Sequence, residues 1–156
     1  MSELRADLEE LLPVMQEQFA KGESFVIRPG GISMLPTVRP GKDAVVLSAL
    51  PQQLKKYDLP FYRRPDGSFV LHRIVEVGET YTCVGDGQFR FEPGVRQEQM
   101  IALATAIIRG KREISVNAPM YRLYCKIWHH TRKVRHVIKW PKYYLRRSLS
   151  WLKSKL

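Results

Sequence analysis

The chain has 156 residues, of which 44% are hydrophobic and 26% charged, so one globular domain with a buried core is expected. No stretch approaches the roughly 20 apolar residues that a membrane-spanning helix requires, and the acidic amino terminus does not resemble a secretory signal. Cys83 and Cys125 lack metal-binding spacing and neither indicate nor exclude a disulfide. We therefore expect a cytoplasmic protein that needs no metal or cofactor.

The net charge of +11 is confined to one end of the chain. Residues 1–118 contain 15 basic and 15 acidic residues, whereas residues 119–156 contain 11 basic residues and no acidic one. This asymmetry predicts a neutral body with a basic appendage. Together with the patterns below, it divides the chain into an amino-terminal amphipathic helix at 1–21, a body at 22–118 and a helical tail at 119–156.

The first predicted element is the helix over residues 2–21. Leucines, a methionine and a phenylalanine recur there at helical spacing, Ser2 can cap the amino end, and Gly22 ends the helix. Pro13 removes one backbone hydrogen bond, so we expect a kink or a split at that residue.

Short strands separated by glycine and proline turns follow in the body. The predicted strands cover residues 25–28, 44–47, 59–63, 69–77, 81–84 and 100–109, and a turn at 65–67 joins two of them into a hairpin. Such a pattern is typical of a mostly-β (α+β) domain whose antiparallel sheet is partly rolled in a barrel-like way.

The tail is predicted to be helical, with an apolar stripe opposite basic side chains. The stripe consists of Met120, Tyr124, Ile127, Thr131, Val134 and Ile138. Three interpretations remain open: a hairpin packed on the body, an amphipathic helix in the plane of an anionic membrane, or a site for an acidic peptide or nucleic acid. Nucleic acid is the least favoured partner because the sequence has no base-reading motif.

Three places in the body carry residues suited to nucleophilic catalysis. Ser33 follows a glycine turn, His72 is the only histidine of the body and lies on a predicted strand, and Asp86 stands in a Gly-Asp-Gly turn six residues before Glu92. A serine becomes a nucleophile when a base accepts its proton, and the base needs a carboxylate to fix its tautomer. Local sequence alone also fits a turn serine and a structural histidine.

The order of four short motifs resembles the signal-peptidase clan of serine peptidases, which includes the self-cleaving repressors of the DNA-damage response. The motifs are Ser33-Met34-x-Pro36-Thr37, Gly41-Lys42-Asp43-x-Val45-Val46, His72-Arg73-Ile74-Val75 and Gly85-Asp86. They span about residues 22–112. Bacterial signal peptidases and the repressors have a lysine before the arginine of the third motif. His72 at that position is similar to the archaeal and endoplasmic-reticulum signal peptidases, which use serine, histidine and aspartate.

The resemblance implies a role for each matching residue. Ser33 is the expected nucleophile and His72 the general base, with activity rising through a pKa near 7. Asp86 or Glu92 orients the imidazole, and we favour Asp86 because its glycine-flanked turn and shorter side chain are easier to fix. Backbone amides near Ser33 are expected to bind the oxyanion, with Ile32, Met34 and Pro36 as the neighbouring oxyanion and substrate-binding residues.

The predicted function is therefore that of a small serine endopeptidase that processes a leader or precursor peptide. The sequence lacks the transmembrane anchor of true signal peptidases, so export processing is not expected. Two alternatives remain: a catalytically silent relative that binds a peptide in the same cleft, and an adaptor that acts through its basic tail on a membrane or peptide.

Overall fold

A computed structural model describes the backbone of residues 3–135 and 137, and the side chains of residues 8–135 and 137. The elements, in chain order, are α1 (Glu3–Ala20), β1 (Phe25–Ile27), β2 (Asp43–Ser48), β3 (Pro60–Arg63), β4 (Phe69–Leu71), β5 (Arg73–Val77), β6 (Tyr81–Val84), β7 (Glu92–Val95), a 3-10 helix (Gln97–Gln99), β8 (Met100–Arg109), β9 (Arg112–Ser115) and α2 (Pro119–His130). Each predicted strand range contains a strand, although 69–77 is divided between β4 and β5, and β7 and β9 lie outside the predicted ranges.

The first helix continues through its proline. Pro13 lies inside α1, so of the expected kink or split the split does not occur. Met15 is fully buried, and Leu8 and Phe19 pack against the same core. Burial of this apolar face offsets the single hydrogen bond that the proline removes. The predicted cap at Ser2 lies outside the described residues.

The strands form two antiparallel sheets, which gives an α+β fold. The larger sheet has the order β1-β2-β8-β3-β4, with β9 also paired to β8, and the smaller sheet has the order β5-β6-β7. The predicted hairpin is β3–β4, in register Phe61↔Leu71. Strands β1 and β4 stand at the two ends of the larger sheet's order, so within the described residues this sheet is open rather than a closed barrel.

The predicted strand 69–77 is two strands that belong to different sheets. β4 ends at Leu71 and β5 begins at Arg73, which leaves His72 as the single residue between them. Side-chain alternation persists across this junction: Leu71 joins the core of the larger sheet, and Val70 and Ile74 join the second cluster. The chain therefore changes sheets at the histidine, whose side chain is buried.

The helix α2 packs on the body. Tyr121 and Cys125 belong to the core of the larger sheet, and Tyr124 packs against it. The predicted apolar stripe is thus only partly correct, because Met120 and Ile127 are exposed and the neighbouring positions face inward. The core of the body therefore extends past residue 118. The rest of the predicted tail, residue 136 and residues 138–156, lies outside the described part of the chain.

Cys83 and Cys125 are both buried free thiols. Among the described residues, neither α1 nor α2 has the length and hydrophobicity needed to cross a bilayer.

Candidate active site

Ser33 and His72 line the same cavity. Its volume is about 460 Å³, and it lies between residues of α1, β1 and β4. Much of the wall is apolar and is formed by Leu8, Leu11, Phe25, Ile27, Met34, Phe61, Phe69 and Leu71. The structure therefore places the predicted nucleophile and the predicted base, which are far apart in the sequence, in the wall of one largely apolar cavity, with no direct hydrogen bond between them among the described residues.

The backbone of Ser33 is held by the glycine turn at residues 85–88. The amide of Gly87 donates a hydrogen bond to the Ser33 carbonyl at 2.8 Å. A Cβ atom at Gly85 would lie 2.5 Å from that same carbonyl oxygen, and one at Gly87 would lie 2.9 Å from the Leu35 oxygen. The loop between β1 and β2 that carries Ser33, which we call the serine loop, packs directly on the backbone of this turn. The turn therefore needs glycine at both positions. Its Gly-Asp-Gly sequence thus positions the candidate nucleophile.

The imidazole of His72 contacts a carboxylate and a phenol through one nitrogen. Its Nδ1 lies 3.4 Å from Glu92 Oε2 and 3.3 Å from the Tyr62 hydroxyl oxygen. Tyr62 donates its own proton to Glu92 at 2.9 Å, so its oxygen is left to accept. This network favours the neutral tautomer with the proton on Nδ1, which leaves Nε2 with a free lone pair.

Glu92 is fixed in turn by an arginine. Arg64 donates from Nε to Oε1 and from its terminal nitrogen to Oε2, both at 2.6 Å. Burial alone would raise the pKa of Glu92, but the hydrogen bonds from Arg64 and Tyr62 outweigh it, and the pKa lies below its ordinary value. Glu92 therefore stays ionised beside the histidine. It is the first residue of β7.

Asp86, the carboxylate that we favoured from the sequence, does not contact the imidazole. Arg73 holds it with two hydrogen bonds, at 2.9 and 2.7 Å, and the Thr37 hydroxyl donates to it as well. Burial would raise the pKa of Asp86, but the guanidinium prevails and the pKa is lowered. The structure thus reverses our preference: Glu92 lies at His72, and Asp86 forms a buried ion pair beneath the serine loop.

The buried ion pair also anchors α2. The guanidinium of Arg73 donates to the Tyr121 hydroxyl at 3.0 Å, and the indole of Trp128 donates to the Asp86 carbonyl at 2.9 Å. Tyr124 lies 3.2 Å from the Thr37 hydroxyl. Three aromatic side chains of the predicted tail therefore close the region behind the serine loop.

The three residues expected to surround the oxyanion have different environments. Met34 is buried and lines the cavity. Ile32 and Pro36 are exposed and are not among the residues that line this cavity in the described part of the chain. Of the three, only Met34 is placed to contact a ligand in it.

Sequence reasoning missed Tyr62 and Arg64, although one of them was within its reach. Tyr62 pairs with Val70 in the β3–β4 hairpin, and Val70 is two residues from His72. Residues two apart on a strand share a face, so a register assigned to the predicted hairpin could have placed the tyrosine near the histidine. Arg64 follows β3 and meets Glu92 only through the tertiary fold.

Burial gives His72 an unusually low pKa. Desolvation of the imidazole lowers the pKa to about 4, and the nearby Glu92 only partly opposes this effect. The value is well below the pKa near 7 that we expected from the sequence. His72 is therefore neutral, and able to accept a proton, throughout the neutral range.

We expect the rate at which a serine-reactive fluorophosphonate modifies Ser33 to be constant from about pH 6 to pH 8. At lower pH the rate should fall, with a midpoint near pH 4. The unfolded chain binds a proton at His72 with a pKa of about 6.5, so the free energy of unfolding should also decrease as the pH falls from 6.5 towards 4. The rate is measured by stopping the modification reaction at timed intervals, and the free energy of unfolding is measured by urea unfolding, both at each pH. A rate midpoint near pH 7 would contradict the buried neutral imidazole.

Comparison with known protein families, with curated proteins and with solved structures finds no match to this chain.

Proposed function

We propose that this chain is a serine endopeptidase with a signal-peptidase type of fold, and that it cleaves a leader or precursor peptide. The observation that carries the proposal is the shared cavity of Ser33 and His72, with Glu92 at the Nδ1 side of the imidazole. This is the order of nucleophile, base and orienting carboxylate that acyl transfer requires.

In the proposed reaction, Ser33 Oγ attacks the scissile carbonyl carbon while His72 Nε2 accepts the hydroxyl proton. Backbone N–H groups of the serine loop stabilise the negative oxygen of the tetrahedral intermediate. The C–N bond then breaks, and His72 returns the proton to the departing amine. Water attacks the acyl-enzyme with His72 again as the base, which releases the acid and restores the serine. Glu92 stabilises the imidazolium that forms in each half of the reaction.

The walls of the cavity support a peptide as the substrate. Residues of β1 and β4 line it, and these are the first and last strands in the order of the larger sheet. The terminal strands of a sheet have free backbone groups with which an extended peptide can pair. The apolar wall favours uncharged side chains, and Arg64 and Gln88 are among the polar residues of the lining. An extended, mostly apolar segment of a precursor fits this lining.

A fluorophosphonate tests the nucleophile without knowledge of the substrate. We expect a single adduct on Ser33, formed as the Oγ–P bond forms, fluoride leaves and His72 takes the proton. Ser33→Ala should abolish the adduct and the cleavage of a mixed-sequence peptide library. Its free energy of unfolding should stay within about 0.5 kcal/mol of the wild type, because a half-buried hydroxyl is all that is lost. Mass spectrometry of the intact protein and of its digest measures the adduct.

Ser48→Ala is the matched control, because Ser48 ends β2 away from the cavity lining and should label like the wild type. An adduct that persists in Ser33→Ala would overturn the proposal. A wild-type protein that retains a library peptide, forms no adduct and cleaves nothing would instead be the catalytically silent peptide-binding protein.

A further inference from the structure

The outward side of α2 and of the helical residues after it exposes large apolar side chains. Met120 is 77% exposed, Ile127 is 56% exposed and Val134 is 60% exposed, and Leu123 lies between them at half exposure. Met120, Leu123 and Ile127 are three and four residues apart and lie on one side of α2, and Val134 follows seven residues later, in the helical residues after Thr131. We call these four residues the outward face.

The opposite side of the same helix is fully engaged with the body. Tyr121 and Cys125 are buried in the core, and Trp128 donates a hydrogen bond to the Asp86 carbonyl. Arg132 continues this side, with its guanidinium over the Phe91 ring and a hydrogen bond to the Gln88 carbonyl. The outward face therefore cannot turn inward without breaking these contacts, and its apolar side chains stay available to a partner.

Charge identifies the kind of partner. Lys126, His130 and Lys133 are exposed and lie along the outward face. Residues 119–156 contain 11 basic residues and no acidic one, while the preceding 118 residues are neutral overall. An apolar strip with two lysines along one border complements a surface that is negative outside and apolar beneath.

We propose that the outward face of α2 lies in the interface of an anionic lipid bilayer. Apolar side chains of such a helix enter the headgroup and acyl boundary, while the lysines remain with the negatively charged headgroups. Nucleic acid has the charge but offers no apolar layer for these side chains. The proposal is independent of the peptidase activity, since none of these residues lines the cavity of Ser33 and His72.

Sedimentation of the full chain with vesicles tests the proposal. We expect binding to vesicles of equal parts phosphatidylglycerol and phosphatidylcholine, and at least tenfold weaker binding to phosphatidylcholine alone. Raising the salt from about 0.1 M to 1 M, which shortens the Debye length from about 10 to 3 Å, should also weaken binding. Point substitutions are preferable to deletion of residues 119–156, because Tyr121 and Cys125 belong to the core.

Two double variants separate the apolar and the charged contributions. Leu123→Ser with Ile127→Ser should lower the partition coefficient about tenfold or more, through the loss of two apolar side chains. Lys126→Gln with Lys133→Gln should lower it roughly fivefold per lysine. All four residues are exposed, so thermal unfolding should remain that of the wild type. The matched controls, Val77→Ser and Lys111→Gln, are exposed on the body and should bind like the wild type.

Several outcomes would overturn the proposal. One is a wild-type protein that does not sediment with the anionic vesicles. Another is a folded Leu123→Ser and Ile127→Ser variant that binds as tightly as the wild type, since the outward face would then contribute nothing. Capture of an acidic protein through the same residues, without vesicle binding, would assign the face to a protein partner.

Discussion

Glu92→Gln should slow the modification of Ser33 and the cleavage of peptide by about 10³- to 10⁴-fold while the protein stays folded. An amide can donate a hydrogen bond to Nδ1 of His72, which favours the tautomer with its proton on Nε2, the wrong nitrogen for accepting the serine proton. The amide also provides no charge to stabilise the imidazolium. The measurement is the observed rate constant of fluorophosphonate labelling, followed by mass spectrometry.

The pH profile distinguishes this positioning role from a purely structural one. The negative charge of Glu92 raises the pKa of His72 against the effect of burial. Removing that charge should therefore move the acidic limb of the rate profile of Glu92→Gln to a pH below that of the wild type. A variant that was merely misfolded would lose amplitude without such a displacement.

Two variants serve as controls for Glu92→Gln. Glu92→Asp retains the carboxylate and should recover part of the lost rate, although the shorter side chain weakens the contacts with Arg64. Glu98→Gln changes an exposed carboxylate in the 3-10 helix and should leave the rate unchanged. Wild-type labelling by Glu92→Gln would show that this carboxylate does not orient His72.

Asp86→Asn should have its main effect on stability, with a loss of about 3–5 kcal/mol in the free energy of unfolding. The substitution leaves the guanidinium of Arg73, which is 2% exposed, without a neutralising charge. Arg73 also joins the anchor of α2 through Tyr121, so loosening of that helix should accompany the loss. Urea unfolding followed by circular dichroism and tryptophan fluorescence gives both quantities.

The contrast with an exposed ion pair makes the test specific. Glu17→Gln breaks the surface contact with Lys21 and should cost well under 1 kcal/mol. Folded Asp86→Asn, assayed in the absence of urea, should still be labelled at Ser33, because its side chain does not contact the imidazole. Stability like that of the wild type, together with loss of labelling, would return Asp86 to the role that the sequence first suggested for it.

Local rules in the sequence accounted for most of the elements. Alternation and turn residues located the β3–β4 hairpin, and helical spacing located α1 and α2. The same rules failed where long-range packing outweighs local preference. Pro13 stays within an unbroken helix because α1 is held by its buried face, and β7 contains a Pro-Gly pair that argues against a strand.

The different partners of Asp86 and Glu92 show most clearly what the sequence could not predict. The chain by itself determined that a serine, a histidine and two carboxylates stand beside turns and strands, and that its charge is concentrated after residue 118. Only the tertiary structure decided which carboxylate meets His72, because that depends on where Arg73 and Arg64 lie. Arg73 pairs with Asp86, 13 positions later in the chain, and Arg64 pairs with Glu92, 28 positions later. Likewise, helical spacing predicted that α2 is an amphipathic helix, but packing against the core decided which of its side chains are buried and which remain exposed.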